Sequence, residues 1–475
     1  MKKKFISVLL AGVLTAASLG VFAACGGGGG NGPTTTGELK KDENGNVIFE
    51  NVEIVCNTVV SGTDKDAFEQ IVQQFNIEHR GEITVHSESI GDGTFETSVP
   101  QRISNNSNAP DLIMAHQKVL KSFENNNLLQ SFDEAMELSG IEIDMEDYAE
   151  GLAQYSSLGE GDSLYAVPVD AQSMIVYYNK AKLEELGGQL PTTRAELMDL
   201  LQRAKDKYGS GFWPIAWATA NDYFARYAFP TAVLQNGGEF FDTESLYAEW
   251  AEGENEEAFK DAIESIRELI YDKNFAQYGR ESVLEEYLSD NFLFYLTLPW
   301  SNNEHLSAYA DEKGINVSEV SDYLGATSLS GWFAMDETEP SADVVFGDSH
   351  FFAMSRTVQD INQKAAILEF IRYFTQNAEI GTQWARAGHV SASKIISQSQ
   401  AYQSDSIVSN YFINFYPDLD DFRCMGLTPA FKEIQTNMNA LFVSTVGKPS
   451  VTDEVVTSEI LRCQEEVNAI VDFIK

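Results

Sequence analysis

The sequence predicts an α/β protein folded as two lobes. Three observations predict it. The chain has 475 residues, more than one core ordinarily serves. Short apolar runs rich in β-branched residues alternate with longer stretches whose apolar residues recur at helical spacing. Residues 165–180 read as half crossing strand and half buried strand. There Val167 and Val169 alternate with small or polar neighbours, Pro168 cannot donate to a ladder, and residues 174–178 are continuously apolar. Such a segment suits a chain passing from one lobe into the other.

Residues 1–24 read as an export signal, with Lys2, Lys3 and Lys4 before the apolar run 5–14 and Ala23-Ala24 at its end. Cys25 follows at once, and the Gly- and Thr-rich stretch to about residue 45 reads as a flexible tether. The body starts near Asn46. Residues 52–60 form the first expected strand, and Ser61-Gly62-Thr63-Asp64 turns into a helix carrying Phe68, Ile71, Val72 and Phe75 on one face. Residues 83–86 and 109–114 are the next strands, and 119–129 the next helix. These alternations argue for lobes with mostly parallel sheets.

Asn179 can cap the helix that Gly187-Gly188 ends, and Thr193 with Glu196 forms a capping box for the next. Leu197, Leu200, Leu201 and Ala204 make one helix stripe, and Phe259, Ala262, Ile263, Ile266, Leu269 and Ile270 another. Residues 292–300 read as a strand, 331–335 as a second crossing, 346–355 as a strand back in the first lobe, and the chain after 391 as helical.

The formal net charge is −40, from 72 acidic and 32 basic residues. That excludes nucleic acid and anionic lipid surfaces as charge-driven partners and suits solubility. Hydrophobic content of 43% supports large cores. Cys25, Cys56, Cys424 and Cys463 fit no metal spacing. Cys56 reads as a small core residue, while Cys424 and Cys463 could pair. After residue 24 no apolar run is long enough to span a membrane. The sequence holds no Gly-x-Ser-x-Gly elbow, no Walker loop and no His-x-x-x-His zinc motif.

Several motifs carry a resemblance. They are Tyr165-Ala166-Val167-Pro168, Tyr177-Tyr178-Asn179-Lys180, the helix start from Pro191 to Leu197, Pro110-Asp111-Leu112-Ile113, Asn236-Gly237-Gly238 and the Trp384-Ala385-x-x-Gly388 segment. In order and spacing, over about residues 47–475, they resemble the extracellular solute-binding proteins of ATP-driven importers, especially the carbohydrate group that includes maltose-binding protein. Phe22-Ala23-Ala24-Cys25 is similar to a lipobox, with Phe22 where Leu is usual.

The resemblance implies a two-lobe type II periplasmic-binding-protein-like fold with a ligand cleft between the lobes and several hinge crossings. One lobe is expected at 46–168 plus 336–390 and the other at 169–335 plus 391–475, with a third crossing at 388–393. It implies a monomer without cofactor or catalysis, lipidated at Cys25 and held on the outer face of the cell membrane. Such a protein captures a carbohydrate and hands it to the membrane subunits of an importer.

Sugars stack an apolar ring face on an aromatic side chain and give their hydroxyls to carboxylates, amides and His. Open α/β sheets place such groups on the loops after strands. Candidates in the first lobe are Thr63, Asp64, His116 and Gln117, with Asp170 in the first crossing. Ala115-His116 matches the maltose-binding pattern, but Gln117 stands where that group carries an acid, which counts against maltodextrin as ligand. In the second lobe the candidates are Trp213, Trp217, Asn221, Asp222, Tyr223 and Trp300, with Trp332 and His350 flanking the second crossing. Asp222-Tyr223-Phe224 resembles the family's aromatic ligand loop, and Leu298-Pro299-Trp300 its Gly-Pro-Trp turn. Core packing stays open for Trp213, Trp217 and Trp332, and a structural role for His116 and His350. Two other functions stay open: a tethered polysaccharide-processing enzyme, and a receptor for a non-sugar such as a glycerol phosphodiester.

Overall fold

A computed structural model describes residues 35–159, 161–220, 224–413 and 419–474. In chain order the first elements are β1 (Val52–Thr58), α1 (Gly62–Glu78), β2 (Ile83–Ser89), α2 (Asp92–Ser104), β3 (Leu112–His116), α3 (Gln117–Asn125) and β4 (Leu129–Gln130). The later strands are β5 (Ala166–Pro168), β6 (Asp170–Ala171), β7 (Ile175–Asn179), β8 (Ile215–Trp217), β9 (Phe294–Thr297), β10 (Leu324–Thr327), β11 (Val345–Phe346), β12 (His350–Ser355), β13 (Val390–Ser391) and β14 (Phe422–Arg423).

The first lobe is built on a sheet of order β2-β1-β3-β12-β4, with β5 also paired to β12. β1 runs parallel to β2 and β3, whereas β12 runs antiparallel to β3, β4 and β5. α1 covers this sheet with the expected face, Phe68, Ile71, Val72 and Phe75, all buried. The helix Ile361–Gln376 packs beside it, so that Phe68, Phe75, Phe352, Phe370, Phe374 and Trp384 meet edge to face. Cys56 is buried in this core.

The second lobe has a sheet of order β10-β7-β9-β8, in which only β8 and β9 are parallel. The expectation of mostly parallel sheets is therefore corrected to mixed sheets. β12 arrives from the other lobe and enters from the opposite end, and a run's periodicity carries no information about strand direction. Thr193 caps Arg194–Tyr208 by accepting from Glu196 N at 3.3 Å, while Glu196 reaches back to Thr192 N at 2.9 Å. Asn179 caps the preceding helix at Lys182 N, 3.0 Å. The helices Phe431–Thr445 and Asp453–Ile474 close the outer side of this lobe.

Three passages join the sheets. The first runs from β5 through β6 to β7, and β6 pairs with β13 of the third passage through Ala171↔Val390 and Asp170↔Ser391. The second passage lies at 347–349, between β11 and β12, and bridges the first through Gln172↔Asp348. It does not lie at 331–335. Those residues pack inside the second lobe, where Arg194 Nη1 donates to Trp332 O at 2.9 Å and Phe333 N donates to Gln235 Oε1 at 2.8 Å. The lobe boundary expected at residue 336 moves accordingly to about 347. The short helices Lys394–Ser397 and Gln400–Ser404, expected in the second lobe, pack on the first-lobe helix Ala378–Arg386.

The lobes also touch away from the passages. Lys432 Nζ lies 2.6 Å from Glu96 of α2. Gly388 has φ +108°, and a Cβ there would lie 2.3 Å from Pro299 O, so only glycine fits. Cys424 and Cys463 are buried free thiols, which settles their pairing. Among the described residues no helix is long and apolar enough to cross a membrane.

Candidate functional site

The carboxyl ends of β1 and β3 point toward the second lobe, and the turns after them make one wall of a cavity of about 350 Å³. From β1 the chain turns through 59–64 into α1, bringing Thr63 and Asp64 to the wall. The start of α2 adds Asp92, and the β3–α3 junction adds His116 and Lys118. Gln172, Asp348 and His350 form the floor. Opposite stand Arg226, Tyr227, Trp300, Ser301 and Glu304 of the second lobe. Trp300 meets the Tyr227 ring nearly edge-on, centroids 6.3 Å apart.

The floor is a connected polar cluster. His116 and His350 are register partners on β3 and β12, so their rings stack at 4.7 Å. His116 Nδ1 lies 3.1 Å from Asp348 Oδ2, and Lys118 Nζ 3.6 Å from Asp92 Oδ2. Burial by itself raises the Asp348 carboxyl, but its interactions with His116 and Lys118 outweigh it and hold it well below the usual range.

Beneath the floor Asp170 is fully buried. Its Oδ1 accepts from His350 N at 2.9 Å, while its Oδ2 lies 2.9 Å from His350 Nδ1 and accepts from Trp384 Nε1 at 2.8 Å. His389 Nδ1 lies 3.2 Å from the same oxygen. Burial opposes the Asp170 charge, yet His350 and His389 hold its carboxyl well below the ordinary value. Burial drives His350 downward more strongly than Asp170 lifts it. Asp170, His350 and His389 each bring one metal-ligand type of atom within 4.8 Å of the others. The Asp170 oxygens already accept from the Trp384 indole and from the His350 backbone N–H, so hydrogen bonds hold this grouping together.

The structure thus brings Thr63, Asp64, His116, Trp300 and His350 together on the cavity lining. Asp170 lies behind it. Gln117 is buried and turned away, its Nε2 donating to Gly426 O at 3.0 Å. Trp217 and Trp332 are corrected to core residues. Trp217 sits on β8 and stacks on Phe333 at 6.3 Å, and Trp332 meets Phe294 edge-on at 5.2 Å. Trp213, half-buried just before β8, is also off the lining. Asn221, Asp222, Tyr223 and Cys25 lie outside the described residues.

Sequence reasoning missed Asp92, Lys118, Arg226, Tyr227, Glu304, Asp348 and His389. Two had a readable signal. Asp92 follows β2 as Asp64 follows β1, and Asp348 lies two residues before His350, the spacing of one strand face.

A family model described as bacterial extracellular solute-binding protein matches residues 61–379 of this chain. Solved structures share the fold. The sugar-binding protein MalE of Xanthomonas citri superposes with a TM-score of 0.71 at 17% identity, covering 89% of this chain and 99% of that one. The GacH receptor of Streptomyces glaucescens, studied with acarbose, gives 0.64 at 15% identity over 88% and 99%. UgpB of Mycobacterium tuberculosis, in complex with glycerophosphocholine, gives 0.64 at 16% over 88% and 98%.

Proposed function

The chain belongs to the bacterial extracellular solute-binding proteins, and we propose that it captures a short carbohydrate between its lobes and delivers it to the membrane subunits of an ATP-driven importer. One observation carries the carbohydrate. The carboxylate residues Asp64 and Asp92 line the same cavity as the aromatic residues Tyr227 and Trp300. Carboxylates and aromatic rings on one lining suit a ligand that offers hydroxyl donors along one edge and C–H groups on one face. Thr63, His116 and His350 complete the polar side of this site. A volume of about 350 Å³ is at the small end of ligand pockets, which favours one or two sugar rings.

A thermal-shift screen over glucose, maltose, trehalose and sucrose tests the reading. A ligand at a hundred times its Kd adds ~2.7 kcal/mol to stability. Glycerophosphocholine belongs in the same screen, because Lys118 and Arg226 at the cavity favour a phosphodiester while Asp64, Asp92, Asp348 and Glu304 oppose it. A shift with that compound alone removes the sugar. The protein binds without turnover, and release of product from an oligosaccharide would make it an enzyme instead.

The protein works as a monomer on the outer face of the membrane, tethered through a lipid on Cys25. The support is the sequence Ala23-Ala24-Cys25 before a glycine-rich stretch. Cys25→Ser should move the protein from the membrane fraction to the soluble one, and unchanged fractionation would place the anchor elsewhere.

A further inference from the structure

We propose that His389 is held as an imidazolium between Asp64 and Asp170, and that its charge positions the cavity-facing carboxylate of Asp64. The proposal rests on the reading of the cavity as the solute site.

His389 has no exposed surface. Its two ring nitrogens each face a carboxylate: Nδ1 lies 3.2 Å from Asp170 Oδ2 and Nε2 lies 3.4 Å from Asp64 Oδ2. A neutral imidazole carries one N–H and one lone pair. It can serve one carboxylate, and it then turns its lone pair toward the other. Anionic oxygens on both edges of one buried ring therefore select the doubly protonated form. The ring face agrees, since the indole of Trp384 lies parallel to it at 4.1 Å with the planes 9° apart. An electron-rich indole face stabilises a cation.

The remaining titratable neighbour is His350 of β12, whose ring centroid is 5.5 Å away. Burial pushes the His389 ring downward, but Asp170 and Asp64 outweigh it and lift it to about 9. His350 moves the opposite way, so one imidazolium sits in the cluster rather than two.

Asp64 is thus gripped from behind. Its Oδ2 faces His389, while the residue itself is part of the cavity lining. The grip also reaches the passages. Asp170 belongs to the first, His350 begins the strand after the second, and His389 precedes β13 of the third. The same charge therefore orients a wall residue and anchors the junction about which the lobes turn.

The test uses the full chain labelled with ¹⁵N and ¹³C, without ligand. The His389 and Asp64 signals are assigned with His389→Gln and Asp64→Asn. At pH 7.5 both His389 ring nitrogens are expected to be protonated, and the Asp64 carboxyl carbon should shift with the midpoint at which that ring loses its proton. The inflection should vanish from the Asp64 signal in His389→Gln. A singly protonated ring at pH 7.5, or an Asp64 carbon blind to the ring's titration, overturns the proposal. If His389→Gln does not fold, the wild-type ring nitrogens decide. Because none of these readings needs a ligand, failure of the sugar reading shows separately, as no binding heat with any sugar of the screen. Where a sugar binds, its affinity should fall about tenfold in His389→Gln, close to 1.4 kcal/mol. Wild-type affinity should decline as pH rises through about 9, while the variant stays flat. Equal affinities and equal pH profiles would reduce His389 to a packing residue.

Discussion

The two walls of the cavity are built on different physics. The first-lobe wall is polar, titratable and cross-braced. Asp64, Asp92, His116, Lys118 and Asp348 lie within ion-pair distance of one another or of His389. The second-lobe wall presents Trp300 and Tyr227, with Arg226 and Glu304 at its edges. Polar recognition demands fixed directions, so those groups stand at strand ends, where the sheet sets their positions. Apolar stacking demands area more than direction, and the aromatic wall rides on a turn and on a helix beside it. On this comparison, and on the proposed function, the first lobe would orient a solute and the second would cover it.

The sharpest way to break the comparison is to cut the polar wall at its root. Asp170→Ala removes the carboxylate that receives His350, His389 and Trp384, leaving a buried charge without its partner. The expected cost is about 3–5 kcal/mol in urea unfolding. A loss under 1 kcal/mol would show that the cluster is not the brace described.

Proton linkage tests the same wall without a mutation. His389 is raised from its ordinary value near 6.5 to about 9. Its contribution, roughly 3 kcal/mol by that shift, is fully present below 6.5 and is lost as pH rises through 9. Asp170 and Asp348 are lowered, so their contributions are present at neutral pH and lost as pH falls through the acid range. His350, buried and lowered, adds to the acid loss. Calorimetric Tm should therefore fall between pH 6.5 and 9.5, and a flat profile there would contradict a charged His389.

The aromatic wall should behave oppositely. Trp300→Ala is expected to leave unfolding nearly unchanged and to weaken solute binding by about 1–3 kcal/mol, ten- to a hundredfold in Kd by titration calorimetry. A large drop in stability with unchanged affinity would make Trp300 a core residue. The smallest effect is expected at the rim. Lys432→Met breaks the pair with Glu96, whose lysine is half exposed, and should change Kd by less than about fivefold, within the range of exposed ion pairs.

The difference between the walls also explains what could be read from sequence. The first lobe was legible because β1, α1, β2 and β3 announce themselves by period, and the residues just after β1 and β3 include Thr63, Asp64 and His116. His389 was not, since its partners Asp64 and Asp170 lie 325 and 219 positions away. In the second lobe, tryptophan signals core and platform alike. Trp300 follows a strand into a turn, whereas Trp217 points from β8 into the packing against Phe333. The second passage was misplaced for a related reason. Trp332 and Phe333 look like a strand, while the real crossing follows a strand of two residues, Val345–Phe346, too short to show a period.

Gly388 adds a mechanical consequence. Gly388 precedes His389, and its bare Cα rests against the carbonyl of Pro299, the residue before Trp300. Backbone against backbone makes a hard contact that no rotamer can relax. In a closing cleft of the kind proposed, it would act as a doorstop, setting how far the aromatic wall can swing toward the polar one and hence the thickness of what fits between them. A methyl group at Gly388 would wedge the door ajar by the width of one carbon, and the two walls could no longer grip the same solute together.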